Sequence, residues 1–463
     1  MSILWNSNTL KDLASAETNM KWEASGVEID SRKIKKGDLF CALKGKNFNG
    51  HSFINNAIDK GAAACLISED IPSKNNIAFS KVKNVFETIE LMAKNLRKRS
   101  ISKFIAVTGS VGKTGTKDMI NVALSNIAKT YANESSYNNH VGVPLSLSRT
   151  PSDAVFCVLE IGMNKKGEIR KLAQLVKPEV AILTAVENSH LDGLKSLKNI
   201  AYAKSEILEK LPKDGCLIIN NDTNFSELII KKANDLAINN IITYGRRHKN
   251  NIQLLNYKIK DKKYFIKAMC FGKEIFWEMP LVGSHWIFNS LSILGLASYY
   301  GIDIKKILNG IASFSVPDGR GNKMYLNFKK SKFLLINDSY NSNPASLKTA
   351  LKNFSKLDVK GKKILVLGDM LELGEKSLQI HLSFKEDLND LGVDSLFTIG
   401  KYMFELQKKI SKVKYKFHEE DLNKITYKIL ELIEEEDAVL IKGSNSINLK
   451  TIINKLIKEC EMV

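Results

Sequence analysis

Short apolar segments alternate with helical segments along most of this chain of 463 residues, and this alternation limits the folds that the chain can form. Segments with the length and composition of buried strands lie at 104–108, 154–159, 180–184, 216–220, 241–244, 333–337, 363–367, 395–399 and 438–442. Strands separated by helices are typical of parallel sheets, because parallel strands need a crossover connection. The sequence therefore predicts an α/β fold. Residues 251–282 instead alternate at period two, which predicts an antiparallel addition before a helix at 289–299.

Two short segments divide the chain into three parts. A basic segment ends a predicted helix near residues 97–102, and turn-forming residues cluster at 315–319. The length is enough for about three domains. The predicted domains are 1–98, 99–315 and 316–463.

The chain carries 69 Lys and Arg residues against 50 Asp and Glu residues, a formal net charge of +19. Such a surplus is compatible with nucleic acid, a membrane surface or anionic small substrates. Lysine is spread along the whole chain, however, and no long basic block is interleaved with aromatic residues. We therefore predict no nucleic-acid partner.

The six cysteines lie far apart, with no Cys-x-x-Cys pair, which favours a reducing compartment. No apolar run approaches the 18 or so residues of a membrane helix, and the first residues do not have the pattern of an export signal. We expect a cytoplasmic, monomeric protein without membrane insertion.

The sharpest local motif is T-G-S-V-G-K-T at residues 108–114, directly after a predicted strand and before a helical segment. In such a loop, backbone amides and the helix N-terminus bind phosphates, the lysine offsets phosphate charge and the last hydroxyl binds Mg²⁺. One position differs from the general phosphate-loop pattern, because Val107 stands where that pattern has glycine. The predicted phosphate-binding residues are Gly109, Ser110, Val111, Gly112, Lys113 and Thr114.

Two further residues follow predicted strands and are expected at the same sheet edge as the loop. Glu160 ends the next strand and offers an oxygen ligand for Mg²⁺; it is equally compatible with an ordinary carboxylate at a strand end. His190 follows the strand at 180–184, and the residues alone leave open whether it is a ligand or structural.

With these motifs the chain resembles the Mur ligases, and within them the MurF branch. The matching segments are 29–32, 37–45, 48–51, 108–114, 138–144, 159–163, 167–169, 190–193, 203–207, 283–285 with Asn289, 338–344, 367–375 with His381, and 442–444. The resemblance covers all three predicted domains. It implies a central ATPase domain with a parallel sheet, flanked by a UDP-binding N-terminal α/β domain and a C-terminal Rossmann-like α/β domain.

The resemblance also implies a reaction. ATP would phosphorylate the terminal carboxylate of UDP-N-acetylmuramoyl-tripeptide (UDP-MurNAc-tripeptide), and the amine of D-Ala-D-Ala would attack the acyl phosphate. The product would be the UDP-MurNAc-pentapeptide precursor of peptidoglycan, with release of ADP and phosphate. Transfer of a phosphoryl group between two anions needs cations that hold both.

Roles for individual residues follow from the same resemblance. Lys113, His190 and Lys204 would be catalytic, and Lys204 would be carbamylated by CO₂. The implied Mg²⁺ ligands are Thr114, Glu160, His190 and Lys204. Asn289 and Asp338 would contact the nucleotide. The implied substrate-binding residues are Ser31, Arg32, Lys44, Asn138, Tyr340 and Asn341.

Three residues depart from the pattern of this branch. Asn337 stands where an aspartate is common, Trp286 where an asparagine is common, and Asn445 where an arginine is common. The loss of arginine at position 445 removes a cation that could hold an anionic substrate.

Other functions remain open on the sequence. Among enzymes, the alternatives are the Mur ligase that adds the third residue, or a folylpolyglutamate synthetase, against which the complete N-terminal third argues. A muropeptide-binding relative without catalysis and a basic phosphate-loop protein that acts on nucleic acid are alternatives from other classes.

Overall fold

The computed structural model describes residues 3–45, 48–71, 77–134, 137–187, 191–261, 263–280 and 283–462. Three main sheets follow one another along the chain, with five, nine and seven strands. Each predicted domain contains one of them, while the domain boundaries themselves stay a prediction. The α/β fold is confirmed.

The N-terminal part contains a small parallel sheet. Its elements are β1 (Trp5–Asn6), α1 (Ser7–Ala14), β2 (Glu17–Thr18), β3 (Glu23–Ala24), β4 (Gly26–Glu28), β5 (Asp38–Cys41), a 3₁₀ helix (Gly50–Phe53), α2 (Ile54–Asp59), β6 (Ala64–Ile67), β7 (Phe79–Lys81) and α3 (Val85–Arg99). The strand order is β2-β7-β6-β5-β4, and only β2 runs antiparallel to its neighbour. Loops after β4 and β5 therefore leave the same edge of the sheet.

The central part contains the nine-stranded sheet. Its elements are β8 (Lys103–Thr108), α4 (Lys113–Ser125), β9 (Thr130–Ala132), α5 (Gly142–Ser148), β10 (Phe156–Glu160), α6 (Glu168–Val176), β11 (Val180–Leu183), α7 (Leu191–Leu194), α8 (Leu197–Ser205), a 3₁₀ helix (Glu206–Lys210), β12 (Cys216–Asn220), α9 (Ser226–Asp235), β13 (Asn240–Gly245), β14 (Ile252–Lys260), β15 (Lys263–Cys270), β16 (Lys273–Pro280), α10 (His285–Tyr300) and α11 (Ile304–Ala312).

The central strands are ordered β16-β15-β14-β13-β12-β11-β8-β10-β9. Strands β8 to β13 are parallel, and β14, β15 and β16 form the predicted antiparallel addition. Alternate residues of β8 enter opposite cores: Ile105 and Val107 pack with α4, α10 and α11, whereas Phe104 and Ala106 pack with α6, α8 and α9. Because both faces are covered, these parallel strands are continuous apolar runs.

The C-terminal part contains the seven-stranded sheet. Its elements are β17 (Asn322–Phe328), β18 (Ser331–Asp338), α12 (Pro344–Ser355), β19 (Lys363–Gly368), a 3₁₀ helix (Gly374–Lys376), α13 (Ser377–Leu382), α14 (Lys385–Asn389), β20 (Ser395–Ile399), α15 (Lys401–Lys409), β21 (Tyr415–His418), α16 (Leu422–Leu432), β22 (Ala438–Lys442), a 3₁₀ helix (Asn445–Ile447), α17 (Lys450–Glu459) and β23 (Glu461–Met462). The order is β21-β20-β19-β22-β18-β17-β23, with β18 to β22 parallel.

Helix α5 joins the N-terminal and central parts. It packs against α3, and at its C-terminal end Arg149 lies 2.7 Å from the Glu28 carboxylate of β4. The indole nitrogen of Trp5 donates to the Ser148 carbonyl over 2.8 Å. Among the described residues, none of the helices has both the length and the apolar character that a membrane crossing needs.

Candidate active site

The phosphate loop lies between β8 and α4, at the carboxyl edge of the central sheet. Gly109 and Gly112 have φ values of 155° and 86°, and Gly112 is the N-cap of α4. A Cβ at Gly109 would lie 2.0 Å from the Thr184 hydroxyl, so only glycine fits there. The loop thus directs backbone amides and the N-terminus of a 13-residue helix toward one point, an arrangement that attracts anions.

Lys113 is partly buried in this loop, and its ammonium donates to the Gly109 carbonyl over 2.9 Å. Burial lowers the pKa of Lys113, while the carboxylates of Glu160 and Glu372 oppose that shift. Glu372 belongs to the C-terminal part of the chain. Charged groups of both the central and the C-terminal parts therefore act on this lysine.

Glu160 ends β10, the strand next to β8, and is buried. Its carboxylate accepts hydrogen bonds from the Thr114 hydroxyl over 2.6 Å and from the Asn138 amide over 2.7 Å. Burial favours the neutral acid, but the Lys113 charge and these hydrogen bonds hold the pKa of Glu160 below its usual value. The group is therefore an anionic oxygen ligand beside the phosphate loop.

Lys204 lies on α8 and is only 2% exposed, so it is not an ordinary residue of the helix surface. Burial, and then the like charge of Lys113, lower the pKa of Lys204 well below its usual value. No described residue forms an ion pair with it in the structure. Both effects favour the neutral, nucleophilic form of this amine.

The placement of α8 depends on the 3₁₀ helix that follows it. The Glu206 carboxylate accepts from the Gly167 amide over 2.9 Å, and Glu209 binds Arg170 and Lys232. These contacts fix the end of α8 against α6. His190, predicted as a ligand, lies outside the described residues.

The C-terminal part contributes residues at the carboxyl edge of its own sheet. Asp338 ends β18 and lies 2.9 Å from the Lys442 ammonium at the end of β22. Burial raises the pKa of Asp338, and Lys442 opposes that shift. Asn341 is exposed, and its backbone carbonyl accepts from Lys442 over 2.9 Å.

Arg320 is the functional candidate that the sequence did not reveal. Its guanidinium donates to the Thr114 hydroxyl over 2.7 Å and lies 4.0 Å from the centre of the Tyr340 ring. Thr114 is therefore shared between Glu160 and a cation from the C-terminal part. The only local signal was the pattern Gly-Arg-Gly at 319–321, because a glycine on each side permits a tight turn that exposes one side chain.

Comparisons with known proteins identify the family. The chain matches the Mur ligase family catalytic domain over residues 23–103, the Mur ligase middle domain over 107–297 and the Mur ligase glutamate ligase domain over 326–445. A UDP-N-acetylmuramoyl-tripeptide–D-alanyl-D-alanine ligase of Rickettsia prowazekii is 33% identical, over 98% of this chain and 99% of that protein. The chain belongs to the Mur ligase family.

Solved structures agree with the fold of this Mur ligase. A crystal structure of MurF from Acinetobacter baumannii is 25% identical with a TM-score of 0.82, and the match covers 98% of this chain and 99% of that one. A MurF ligase from Thermotoga maritima in complex with ADP is 24% identical with a TM-score of 0.75, and the match covers 94% and 97% of the two chains. The expectation of a Mur ligase close to MurF is confirmed.

Trp286 occupies the interior of this Mur ligase rather than its surface. It is 1% exposed and packs against Phe314 and the first turn of α4. A Cβ on Gly115 would lie 2.6 Å from the Trp286 ring, so the glycine makes room for the indole. Asn289, one turn further along α10, lies beside Gly112, and its buried amide nitrogen has no hydrogen-bond partner among the described residues.

The residues predicted to hold the UDP end belong to the N-terminal part of the chain. Ser31 and Arg32 follow β4, and Lys44 follows β5, so they share the carboxyl edge of the N-terminal sheet. Ser31 is buried, whereas Arg32 is exposed and pairs with Asp30 at 2.8 Å. Lys44 pairs with Glu69 at 2.7 Å. Ser31, Arg32 and Lys44 therefore lie on the N-terminal part. Asn138, another predicted substrate-binding residue, lies beside Glu160 in the central part.

Proposed function

We propose that this protein joins D-Ala-D-Ala to UDP-MurNAc-tripeptide with ATP, giving the UDP-MurNAc-pentapeptide precursor of peptidoglycan. It is an ATP-dependent ligase of the Mur family, and a relative named UDP-N-acetylmuramoyl-tripeptide–D-alanyl-D-alanine ligase matches 98% of this chain. One observation of the structure supports this reaction most: Arg320 of the C-terminal part contacts Thr114 of the phosphate loop. This contact brings together the two parts that a ligase needs, one for ATP and one for the incoming amine.

The phosphate loop performs the first step of the proposed reaction. The loop amides and the N-terminus of α4 bind the phosphates, and Lys113 offsets the charge that develops on the transferring group. Arg320 is a second cation for that group because it already lies within 2.7 Å of Thr114. Phosphoryl transfer activates the substrate carboxylate, a poor electrophile, as an acyl phosphate.

The oxygen atoms of Thr114 and Glu160 fit Mg²⁺. They lie 2.6 Å apart and Glu160 is anionic, and Mg²⁺ in phosphate sites uses one or two protein oxygens with phosphates and water. Among the described residues, no group of three or more His, Cys, Asp or Glu side chains could hold a metal by itself, which fits such a shared site. When bound, Mg²⁺ would neutralise phosphate charge. His190 stays a proposed further ligand.

Lys204 fits a carbamate. CO₂ reacts with a neutral amine, and burial keeps this amine neutral more readily than a surface lysine. Carbamate formation, with release of a proton, would convert this buried amine into an anionic oxygen ligand near Lys113. This change would supply the negative charge that a second metal ion requires.

The three parts of the chain would divide the substrates among them. We assign the UDP end to the N-terminal part with Ser31, Arg32 and Lys44, and ATP to the central part. The C-terminal part would supply Asp338 as a contact to the nucleotide, and Asn289 of α10 would add another. Tyr340 and Asn341 would line the dipeptide side, and Asn138 would approach the tripeptide. A cytoplasmic monomer is part of the same proposal.

A reaction with each component omitted in turn tests the proposal. Purified protein with ATP, Mg²⁺, UDP-MurNAc-tripeptide and D-Ala-D-Ala should release phosphate and form UDP-MurNAc-pentapeptide, detected by its mass. Omission of any one component should abolish the product. Binding of UDP-MurNAc-tripeptide without any turnover in the complete mixture would contradict a catalytic role.

A further inference from the structure

Asn337 is fully buried near the end of β18, and each polar atom of its side chain has a partner. Its Oδ1 accepts from the Ser339 amide over 3.2 Å and from the Ser339 hydroxyl over 2.6 Å. Its Nδ2 donates to the Asp318 carboxylate over 2.8 Å. An ionised carboxylate in the same place could not make the bond to Asp318, because it has no hydrogen to donate.

Asn337 also binds the turn that contains Arg320 on the C-terminal side of the arginine. The Asn337 carbonyl accepts from the Gly321 amide over 2.7 Å. Asn337 therefore binds the residue two positions before Arg320 through its side chain and the residue after it through its backbone. Gly319 and Gly321 have φ values of 76° and 90°, so the turn depends on two glycines. Within the turn, the Gly319 amide also donates to the Asn322 side chain over 2.9 Å and the Arg320 amide to the Pro317 carbonyl over 3.3 Å.

Arg320 leaves this turn toward the central part of the chain. Its guanidinium stacks on Tyr340 at 4.0 Å and donates to Thr114 over 2.7 Å. Tyr340 is itself bound to the turn, because its amide donates to the Gly319 carbonyl over 2.9 Å. The direction of the arginine side chain is thus set by β18 and the residues directly after it.

We propose that the hydrogen bond between Asn337 and Asp318 is a positioning pair that holds Arg320 against Thr114 and so keeps the central and C-terminal parts together. Arg320 touches the phosphate loop, whereas Asn337 and Asp318 act only through it. The kinetic part of this inference depends on the proposed ligase activity; the structural part does not.

An ionised aspartate at position 337 cannot make the hydrogen bond to the Asp318 carboxylate that Asn337 makes. A carboxylate has no hydrogen to donate, and two carboxylate oxygens 2.8 Å apart repel each other when both are ionised. Asp318 is exposed and is able to turn away, which would release one end of the turn. The second substitution D318N would restore a donor, so the pair is expected to work again when the amide and the carboxylate are exchanged in D318N/N337D.

Distances between spin labels on the central and C-terminal parts test the role of the Asn337–Asp318 hydrogen bond in the absence of substrates. Lys198 on α8 and Lys352 on α12 are exposed, and all six natural cysteines are buried, so labels on K198C and K352C report the distance between the parts. The variants are N337D, the reversed pair D318N/N337D, and D318A. D318A removes the hydrogen-bond partner of Asn337 at an exposed position, so the test remains valid if N337D does not fold.

The control is K450A, because Lys450 pairs with Asp318 at 3.3 Å without contacting Asn337. We expect one narrow distance distribution in the parent and in K450A, broad or longer distributions in N337D and D318A, and a return to the narrow one in D318N/N337D. Unchanged distances in folded N337D and D318A would overturn the inference. So would a reversed pair that remains as broad as N337D.

Kinetic measurements distinguish a role in positioning Arg320 from a general structural defect. In N337D we expect kcat/KM for ATP to fall about ten-fold, the size of one lost hydrogen bond to a charged group, and D318N/N337D to recover most of it. The KM for UDP-MurNAc-tripeptide should change little. An equal loss for both substrates without recovery would point to a structural defect and overturn the positioning role. If the parent protein is inactive, the proposed function fails while the distance measurements still decide the inference.

Discussion

Thr114 donates a 2.6 Å hydrogen bond to Glu160 and joins the helix after the phosphate loop to the end of the neighbouring strand. The pair lies at the carboxyl edge of adjacent parallel strands, β8 and β10, where α/β proteins commonly bind ligands. Because one member is a hydroxyl and the other an anionic carboxylate, the edge offers oxygen atoms close to phosphate-binding amides. This local chemistry underlies the phosphoryl-transfer part of the account.

Removal of the loop cation or the carboxylate should abolish phosphoryl transfer. We expect K113A and E160A each to lose at least about 100-fold in turnover, since each removes charge that stabilises the transferring group. Circular dichroism and urea unfolding should show a folded protein. K166A is the control and should keep normal turnover, because Lys166 is exposed in the loop between β10 and α6. Near-normal turnover of either folded active-site variant would be incompatible with the assignment.

The contact between Gly115 and Trp286 should be intolerant of added volume. In G115A the new Cβ would lie 2.6 Å from the indole ring and 3.1 Å from the Asn289 amide, so the unfolding free energy should fall. We expect a loss of about 1 to 3 kcal/mol in urea unfolding. S125A, at the exposed end of the same helix, is the control.

A double-mutant cycle with W286L gives this contact a second test. W286L alone should be destabilising because it leaves a cavity. The combined variant should lose less than the sum of the two single losses, since the smaller side chain leaves room for the new methyl group. Strict additivity would show that the two residues do not compete for the same space.

The burial of Lys204 predicts reaction with CO₂. After incubation with ¹³C-labelled bicarbonate, carbon NMR should show a carbamate signal from the parent protein that is absent in K204M. The signal should persist in K198M, which changes an exposed lysine on the same helix. A crystal structure with nucleotide bound should show extra density on the Lys204 Nζ. A bare ammonium directed to solvent in such a structure would contradict the carbamate.

The Glu209 network predicts how stability depends on pH. The hydrogen bond from Arg170, together with that from Lys232 and the charges of both residues, lowers the pKa of Glu209 from 4.5 to about 2. Since the folded-state pKa lies below the unfolded value, the unfolded chain binds more protons between these values. The contribution of Glu209 is therefore present above about pH 4.5 and is lost as the pH falls toward 2.

E209Q should consequently be less stable than the parent at pH 7, by about 1 to 2 kcal/mol for this partly exposed group. The difference should shrink as the pH falls below 4.5. E405Q, at an exposed ion pair with Lys408 on α15, should show almost no difference at either pH. A difference between E209Q and the parent that stays constant from pH 7 to low pH would exclude the ionised network as its source.

Much of the sheet structure could be predicted from the sequence. The strands at 216–220, 395–399 and 438–442 have the predicted ends, because buried parallel strands are uninterrupted apolar runs with turn-forming or polar residues on both sides. The helix predicted at 289–299 begins one turn earlier, at His285. The indole of Trp286 and the side chain of Ile287 are buried, so packing rather than a local capping signal decides where this helix starts.

From the residues themselves, site candidates could be predicted only at the ends of strands, whereas roles for Lys204 and Asp338 came from the family resemblance. The phosphate loop and Glu160 are local features of strand ends. Arg320 meets Thr114 from 206 positions away, and no local pattern specifies such a contact. Lys204 is similar, because its burial results from the packing of α8 between α6, α9 and the sheet. Tertiary packing therefore supplies the information that the linear motif lacks.

The choice of amine tests the central claim most directly. A dipeptide offers an internal amide that a free amino acid lacks, and buried partners left without that amide would penalise the smaller amine strongly. Equal concentrations of D-Ala-D-Ala, D-Ala, L-Lys, diaminopimelate and glutamate should be supplied together with ATP, Mg²⁺ and UDP-MurNAc-tripeptide, and the products separated by mass. The account predicts that the D-Ala-D-Ala adduct dominates, by about 100-fold or more. Preferential incorporation of any free amino acid would contradict it.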